Sequence, residues 1–523
     1  MRLPPGVNSK DFSNALNQFA VAVGKEWVFT SDEDVDLYRD SYSPVWNEPE
    51  EPIPSAAVAP DSVEQVQAVV RIANEYKIPL WTISTGKNLG YGGSAPLLRG
   101  IVVLDLKRMN RVLEINDKNH YALLEPGVSY FDLYQYIHER QLNVWIDPPD
   151  PGWGSPMGNS LERGGGYTPM HDHFDAVCGL EVVLPSGEVM RTGMGALPGA
   201  KTWQQYKYGF GPYVTPIFSQ SSLGIVTKIG IWLYPAPEAY FSGTVNVWKH
   251  RDLIPLIDVF GELQNAGIVR CGISLGSPFW LGAPHPEFDS MRASGSVKPL
   301  EDYAERKKMP YWSLPLSFYG PAKVVAAQWE YAKEKFSSIR GVAFEDGASY
   351  RFPLSDEDVA RIRDTVPIGI PSLQIFSLLP PGSQGHIGFS PIIPMSGEAV
   401  LDAMAMFDRV HQELGSGRAA LAVLGSFPRA LVIIDLFPVE RNVEHNRKMR
   451  ELYRRLVQES AARGWGEYRT HTTFMGDISN TYSFNNHALR HFHETIKDAV
   501  DPNGILSPGK CGIWPKHLRK ENA

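Results

Sequence analysis

Apolar residues recur at helical spacing over residues 9 to 24, where Phe12, Leu16, Phe19 and Val23 share a face and Ser9 stands as a cap. A second helix is predicted to open at Asp61, with Glu64 three residues on, to turn Val66, Val69, Val70 and Ala73 inward, and to end near Lys77. IPLWTIS then reads as a strand and runs straight into GKNLGYGG, four glycines in eight residues. Strands follow at 101–105 and 121–125, with a helix at 130–139 after them. LEVVLPSGEVMRTG has two apolar runs joined by Pro185, Ser186 and Gly187, the pattern of a hairpin. GIVTKIGIWLY is a further strand, closing this half near residue 234.

After PAPEA at 235–239 the pattern changes. Longer amphipathic helices, such as 322–338 and 397–414, mix with the strands LAVLGS and ALVIIDLF, which predicts a separate α+β domain over about 240–464. The tail holds GEYRTH, a helix at 486–499 and DPNGILSPGKCGIWP. No internal repeat or low-complexity tract is visible.

Composition narrows the class of protein. At roughly 150 residues per domain, 523 residues predict two to four domains, and 43% hydrophobic content excludes disorder as the main state. The net charge of −8 is spread along the chain, so no basic stripe for nucleic acid exists. Cys178, Cys271 and Cys511 are widely spaced and form no CxxC, which excludes a disulfide framework and suits a reducing compartment. MRLPPGVNSKDF has no apolar signal core, and no 18-residue apolar run follows, so a soluble, cytoplasmic chain without membrane contact is expected. The 47 glycines, 41 prolines and 11% aromatics fit loops and core packing, with a minority read as lining a site for a flat ligand.

Two glycine clusters and the histidines are the candidates for chemistry. STGKNLGYGG, with Ser84, Thr85, Gly86, Lys87, Asn88 and Gly90, follows a strand as anion-cradling loops do, although it is neither GxGxxG nor GxxxxGK[ST], and pattern alone supports a plain turn equally. GWGSPMGNSLERGGGYTP follows DPPDP; Gly164 to Gly166 either clear the way for a flat group or pack closely on another backbone. His487 and His491 stand four apart on a helix and HDH occupies 171–173, but no HExxH exists and no metal is expected.

In series, STGKNLGYGG with SAP after it, YALLEPGVSYFDLYQYI, ERGGGYTP, LEVVLPSGEVMRTGMGALPG, YGFGPY, SQSSLGIVTKIGIWL, GHIGFSP, GWGEYRTH and DPNGILSPGKCGIWP resemble the 4-phenol oxidizing flavoproteins. This is the group of vanillyl-alcohol oxidase, eugenol oxidase and p-cresol methylhydroxylase. The resemblance covers nearly the whole chain in order and is weakest at about 240–360. It implies an α+β, two-domain flavoprotein, with an FAD-binding domain from residues 1–236 and 465–523 and a cap domain, 237–464, over the isoalloxazine.

The resemblance also assigns roles. The first loop would hold the FAD pyrophosphate. Pro151 to Gly166, with Gly158 and Asn159, would pass the ribityl chain and flavin, and Gly224, Ile225, Val226 and Lys510 would lie by the cofactor. His386, in GSQGHIGFSP, aligns with the histidine that family oxidases join to the flavin 8α carbon. The histidine that assists attachment in vanillyl-alcohol oxidase has no counterpart in EEPIPSAAVAP. Tyr91, Tyr468 and Arg469 would stabilise a phenolate, and Asp150 would stand beside the flavin as the catalytic aspartate, which favours the oxidase branch.

Tyr167, Gly165, Gly388, Ser426 and Arg429 would line the substrate pocket. Departures from the family pattern concentrate here: GSFPRAL replaces the usual REMHH, Gly165 stands for Val, Met170 and His171 for Tyr-Gly, and Gly388 for a Phe of vanillyl-alcohol oxidase. A roomier pocket is expected, taking ortho-methoxylated or longer-chain phenols of the guaiacyl or syringyl type. The activity implied is an FAD-dependent oxidase of para-substituted phenols that returns electrons to O2, in a homodimer or higher homo-oligomer. A dehydrogenase passing electrons to a cytochrome, and a cofactor-free scaffold, are the alternatives.

Overall fold

The structure, a computed structural model, describes residues 2–519 apart from 283–284, 293–294, 379–383, 418 and 428. The N-terminal helix Ser9–Val23 buries Phe12, Leu16, Phe19 and Val23 as its spacing requires, but its cap is Asn8, whose side chain accepts from the Asp11 N–H at 2.9 Å. Similarly, the helix Val63–Tyr76 is capped by Ser62, not Asp61. Gln65 N donates to the Ser62 hydroxyl at 3.4 Å and the Gln65 Oε1 accepts from the Asp61 N–H at 2.9 Å, so the cap sits one residue later than the acidic pair suggested and the reciprocal box does not form. Both helices pack on a small sheet of Val28–Phe29, Ala57–Val58, Val102–Asp105 and Leu80–Ile83, the last three strands being parallel.

A second sheet is wholly antiparallel, in the order Val112–Asn116, Tyr121–Leu124, Ile225–Trp232, Val177–Val183, Val189–Arg191. Its last two strands are the hairpin expected from LEVVLPSGEVMRTG. From Ala239 onward a different core begins. Ala239–Val247 lies between Trp312–Gly320 and Ala343–Arg351, and a second group pairs Leu421–Phe427 with Ala430–Pro438, which in turn pairs with His386–Phe389 and Ile392–Pro394. The helices Leu253–Asn265, Ala322–Phe336, Gly397–Glu413 and Val443–Ala462 cover these strands and share one large apolar cluster with them. Trp465, Phe474 and Ile478 belong to that cluster too, whereas Ile505 and Leu506 pack with the N-terminal helices.

The tail thus crosses from one core to the other. Leu80 donates to Ile505 O and accepts from Ser507 N, each at 2.7 Å, so the tail extends the first sheet at the strand that feeds the glycine loop. Lys497 fastens the crossing. Its side chain is fully buried and its ammonium reaches Asp501 at 2.7 Å, Ser222 O at 2.8 Å and Leu506 O at 2.6 Å. Burial disfavours its charge and Asp501 opposes that. Removing one partner of such a pair leaves the other uncompensated, so Lys497→Met is expected to destabilise by about 3 kcal/mol or more. A fall in Tm of several degrees checks this, and an unchanged Tm contradicts it.

Candidate active site

The strand Leu80–Ile83 ends at Ser84, and the loop that follows forms one wall of a cleft. The opposite walls come from Gly154–Asn159 with Glu162, from Gln220–Ser222 with Gly224 and Val226, and from the tail at Arg469, Thr470, Ser507 and Lys510. Trp81, Thr82, Gln220, Ser222, Thr470, Thr472 and Ser507 were not singled out by sequence reasoning, although Gln220, Ser222, Thr470 and Ser507 stand in SQSSLG, YRTH and LSPGK. At Gly158 a Cβ would strike the Ser84 hydroxyl, so the helix Pro156–Leu161 can approach the loop only without a side chain there. Val226 lines the cleft, while Ile225, one step along the strand, points the other way into the N-terminal core. Its side chain is therefore not part of the cleft.

The three glycines 164–166 have a different use from the open approach to a flat group that the sequence suggested. A Cβ on Gly164 would overlap the Asn159 amide, and one on Gly166 the Asp147 carboxylate. Asp147 accepts from the Tyr167 and Thr168 N–H groups at 3.0 and 2.9 Å, with His173 Nε2 at 3.3 Å. The run packs on side chains, while Gly165 bridges to Asp172. Lys510 lines the cleft beside Trp81 and pairs with Glu162 at 2.5 Å; burial works against its charge, and Glu162 more than offsets this.

Arg469 joins the tail to the loop. Its Nη2 donates to Asn88 Oδ1, its guanidinium carbon lies 4.1 Å from the Tyr91 ring centroid, and its Nε is buried with no protein partner. Tyr468 is fixed through its carbonyl, which accepts from Gln220 Nε2 at 2.7 Å. Burial pushes its hydroxyl far above the usual phenol range, Tyr91 adds to this and Arg469 opposes it. Tyr167 is pushed up to about 12 by burial, then by Asp150, Asp364, Asp147 and Tyr91. Phe427 meets the Tyr468 ring at 5.7 Å. Arg429, expected in the same pocket, is instead exposed on the turn at φ +69°, and the Ser426 side chain lies outside the described residues.

Asp150 precedes a cis bond to Pro151, and Gly152 N donates to Ser372 O at 2.9 Å, pinning this loop to the cap side. Burial pushes the Asp150 carboxyl up to about 6, a backbone hydrogen bond from Ile375 opposes the shift, and Asp364 adds to it. Its Oδ1 has no protein partner. His386 starts the strand His386–Phe389 and shares a face with Gly388, since Ile387 and Phe389 enter the core. Burial lowers its pKa, and its Nδ1 has no protein partner. A Cβ on Gly388 would meet Ile434 Cγ2 and Ser390 Oγ at 3.6 Å, ordinary contact. Among the described residues no group of three or more His, Cys, Asp or Glu side chains could hold a metal ion.

The cleft suits a dinucleotide: it is lined by a glycine loop with Lys87 and by a capped helix start. Three buried polar atoms, on Arg469, Asp150 and His386, await a partner that the chain itself does not provide. Residues 54–193 match the FAD binding domain family and residues 399–511 the C-terminal domain of FAD linked oxidases. The chain is 34% identical to the 4-cresol dehydrogenase [hydroxylating] flavoprotein subunit of Pseudomonas putida, over 98% of this chain and 97% of that one. Two solved structures superpose with TM-score 0.86. The 4-ethylphenol oxidase from Gulosibacter chungangensis, in its isoeugenol complex, is 35% identical, covering 99% of this chain and 100% of that one. Substrate-bound p-cresol methylhydroxylase is 32% identical, covering 98% and 99%.

Fold and cleft together define an FAD-dependent oxidoreductase. Within that class the chain belongs to the 4-phenol oxidizing flavoprotein family. Gly158→Val is expected to weaken FAD binding about tenfold or more, because overpacking of about 1–3 kcal/mol falls on the contact between Ser84 and the helix. Flavin absorbance retained through gel filtration measures it, and retention equal to the parent chain contradicts it.

Proposed function

We propose that this chain is an oxidase of para-substituted phenols, with FAD carried between residues 1–236 and 465–523, joined to His386, and a cap formed by 237–464. The observation that carries the reading is the placement of Arg469 on Tyr91, beside Tyr468, with the guanidinium Nε unpaired. A phenol has a pKa of about 10, and each tenfold increase in its ionisation takes about 1.4 kcal/mol. A half-buried guanidinium and two hydroxyl donors would supply that stabilisation to the anion. Bound FAD supplies a two-electron acceptor for the hydride of the benzylic carbon. The chain's own part is to hold the phenolate, to exclude water, and to keep Asp150 where its ionised form can take a proton from the water that adds to the oxidised substrate.

Tyr167, Gly165 and Gly388 complete the pocket in this reading, and guaiacyl or syringyl phenols fit its small residues. Among the described residues no helix is long and apolar enough to cross a membrane. A cytoplasmic homo-oligomer accords with the acidic, cysteine-poor chain. The similarity to a dehydrogenase flavoprotein subunit favours a second reading, in which electrons leave to a protein acceptor. H2O2 release in air over a panel of para-substituted phenols, repeated anaerobically with an artificial acceptor, separates the two. No turnover with any phenol under either condition contradicts both.

Two variants follow. Arg469→Ala is expected to lower kcat/KM by about 10²-fold or more, as for loss of one preorganised anion donor. Asp150 with a pKa raised to about 6 is neutral at pH 5 and ionised at pH 7, so turnover should rise across that window. Asp150→Asn should flatten the rise, and a profile unchanged by the substitution contradicts the base role.

A further inference from the structure

The His386 imidazole is held on two sides, by Tyr42, which lies outside both the cleft and the phenol site, and by the backbone of the glycine loop. On one side is the Tyr42 ring, its centroid 5.5 Å away at 53°. On the other is the backbone of Gly90, at φ +80°, where a Cβ would stand 3.2 Å from His386 O and 3.6 Å from Nε2. Gly385 completes the seat, since a Cβ there would overlap the Tyr42 ring.

The Tyr42 side is itself fixed. Tyr42 N donates to Asp40 Oδ1 at 3.0 Å, and the other Asp40 oxygen is 2.7 Å from His471 Nε2. Arg441 reaches Ser41 O at 3.3 Å, and Arg450 pairs with Glu48 at 2.6 Å. The segment therefore cannot drift from the strand that carries His386. No charged group contributes to the histidine's lowered pKa, which comes from burial alone and keeps the ring neutral and nucleophilic.

Resting on the reading that His386 carries the flavin, we propose that Tyr42 and Gly90 are a clamp that presents the His386 imidazole to the flavin 8α-methyl group. They act as positioning residues for a linkage that proceeds without an assisting histidine. In that linkage a carbon–nitrogen bond replaces one C–H bond of the methyl. The methyl and the imidazole N–H each give up a proton, the electron pair of the broken C–H bond stays on the isoalloxazine, and dioxygen accepts both electrons and both protons as H2O2. Orientation is the clamp's whole contribution, and loss of it acts on rate.

The test uses the full chain produced without FAD, then given FAD in air. Linked flavin is followed as fluorescence that stays with the denatured chain, and total bound flavin by absorbance of the native protein. Tyr42→Phe is expected to link at the parent rate, whereas Tyr42→Ala links about tenfold or more slowly while still binding FAD, and Gly90→Ala links about tenfold or more slowly per FAD bound. Tyr42→Ala linking as fast as the parent overturns the clamp alone. A parent chain that never links, or a His386→Ala chain that does, overturns the linkage reading and the clamp with it. If Tyr42→Ala fails to bind FAD at all while Tyr42→Phe links normally, or Gly90→Ala links at the parent rate, Tyr42 and Gly90 do not act as a pair and the proposal fails.

Discussion

The return of the tail to the strand Leu80–Ile83 is the constraint on which the site depends. Two main-chain bonds at Leu80 and the buried Lys497–Asp501 pair hold residues 497–507 against the N-terminal core. Everything between residue 240 and that return is a long excursion with its own core. Without the return, Arg469 would not face Asn88 and Tyr91, and Lys510 would not face Glu162. A loop closed over roughly 400 residues pays its closure entropy only once, because that entropy grows slowly with length. The excursion can therefore be large, and it supplies the strand that carries His386.

Electrostatics in the site follow from the same closure. Withdrawing water raises Tyr167 and Tyr468, so both hydroxyls stay protonated. The same burial raises Asp150 only to about 6, because a backbone donor opposes it. One environment thus separates its titratable groups into hydroxyls that stay protonated at neutral pH and a carboxyl that changes charge near it, a division that would suit acid–base work. Arg469 is the counterweight, the cation to which a phenolate would be drawn.

Much of this was legible in the sequence, and the failures have physical causes. Strand and helix periods located the glycine loop, the hairpin and the cap helices, because each buries a face that its own residues define. The motifs also singled out Tyr91 and Arg469, which come from well-separated stretches of chain and which the fold brings together. What the sequence could not carry is the identity of a neighbour. GGG reads alike whether the missing Cβ atoms make room for a ligand or for Asp147 and Asn159, and only the fold decides. Ile225 and Val226 differ by one step of pleat. Phe427 gave no signal, since its partner Tyr468 is 41 positions away and across the turn into the tail. The caps at Asn8 and Ser62 were missed by one residue for a simpler reason: adjacent positions in AsnSer and AspSer both suit an N-cap, and the Gln65 and Asp11 contacts choose between them.

The glycines sort into two kinds once their neighbours are known. Gly90 and Gly158 are required by the backbone or by close approach, so any side chain there disturbs the seat of His386 or the contact with Ser84. Gly388 is not of this kind. Its conformation suits any residue and a Cβ would find ordinary contacts at 3.6 Å with Ile434 and Ser390, so folding does not demand a glycine. Yet it shares a strand face with His386, two residues away, beside the half-open apolar strand of Ile434 and Leu436. In the proposed reading, a glycine that folding does not need, on the face that carries His386, would set volume rather than structure. The space it leaves can therefore vary among related chains without a change of fold.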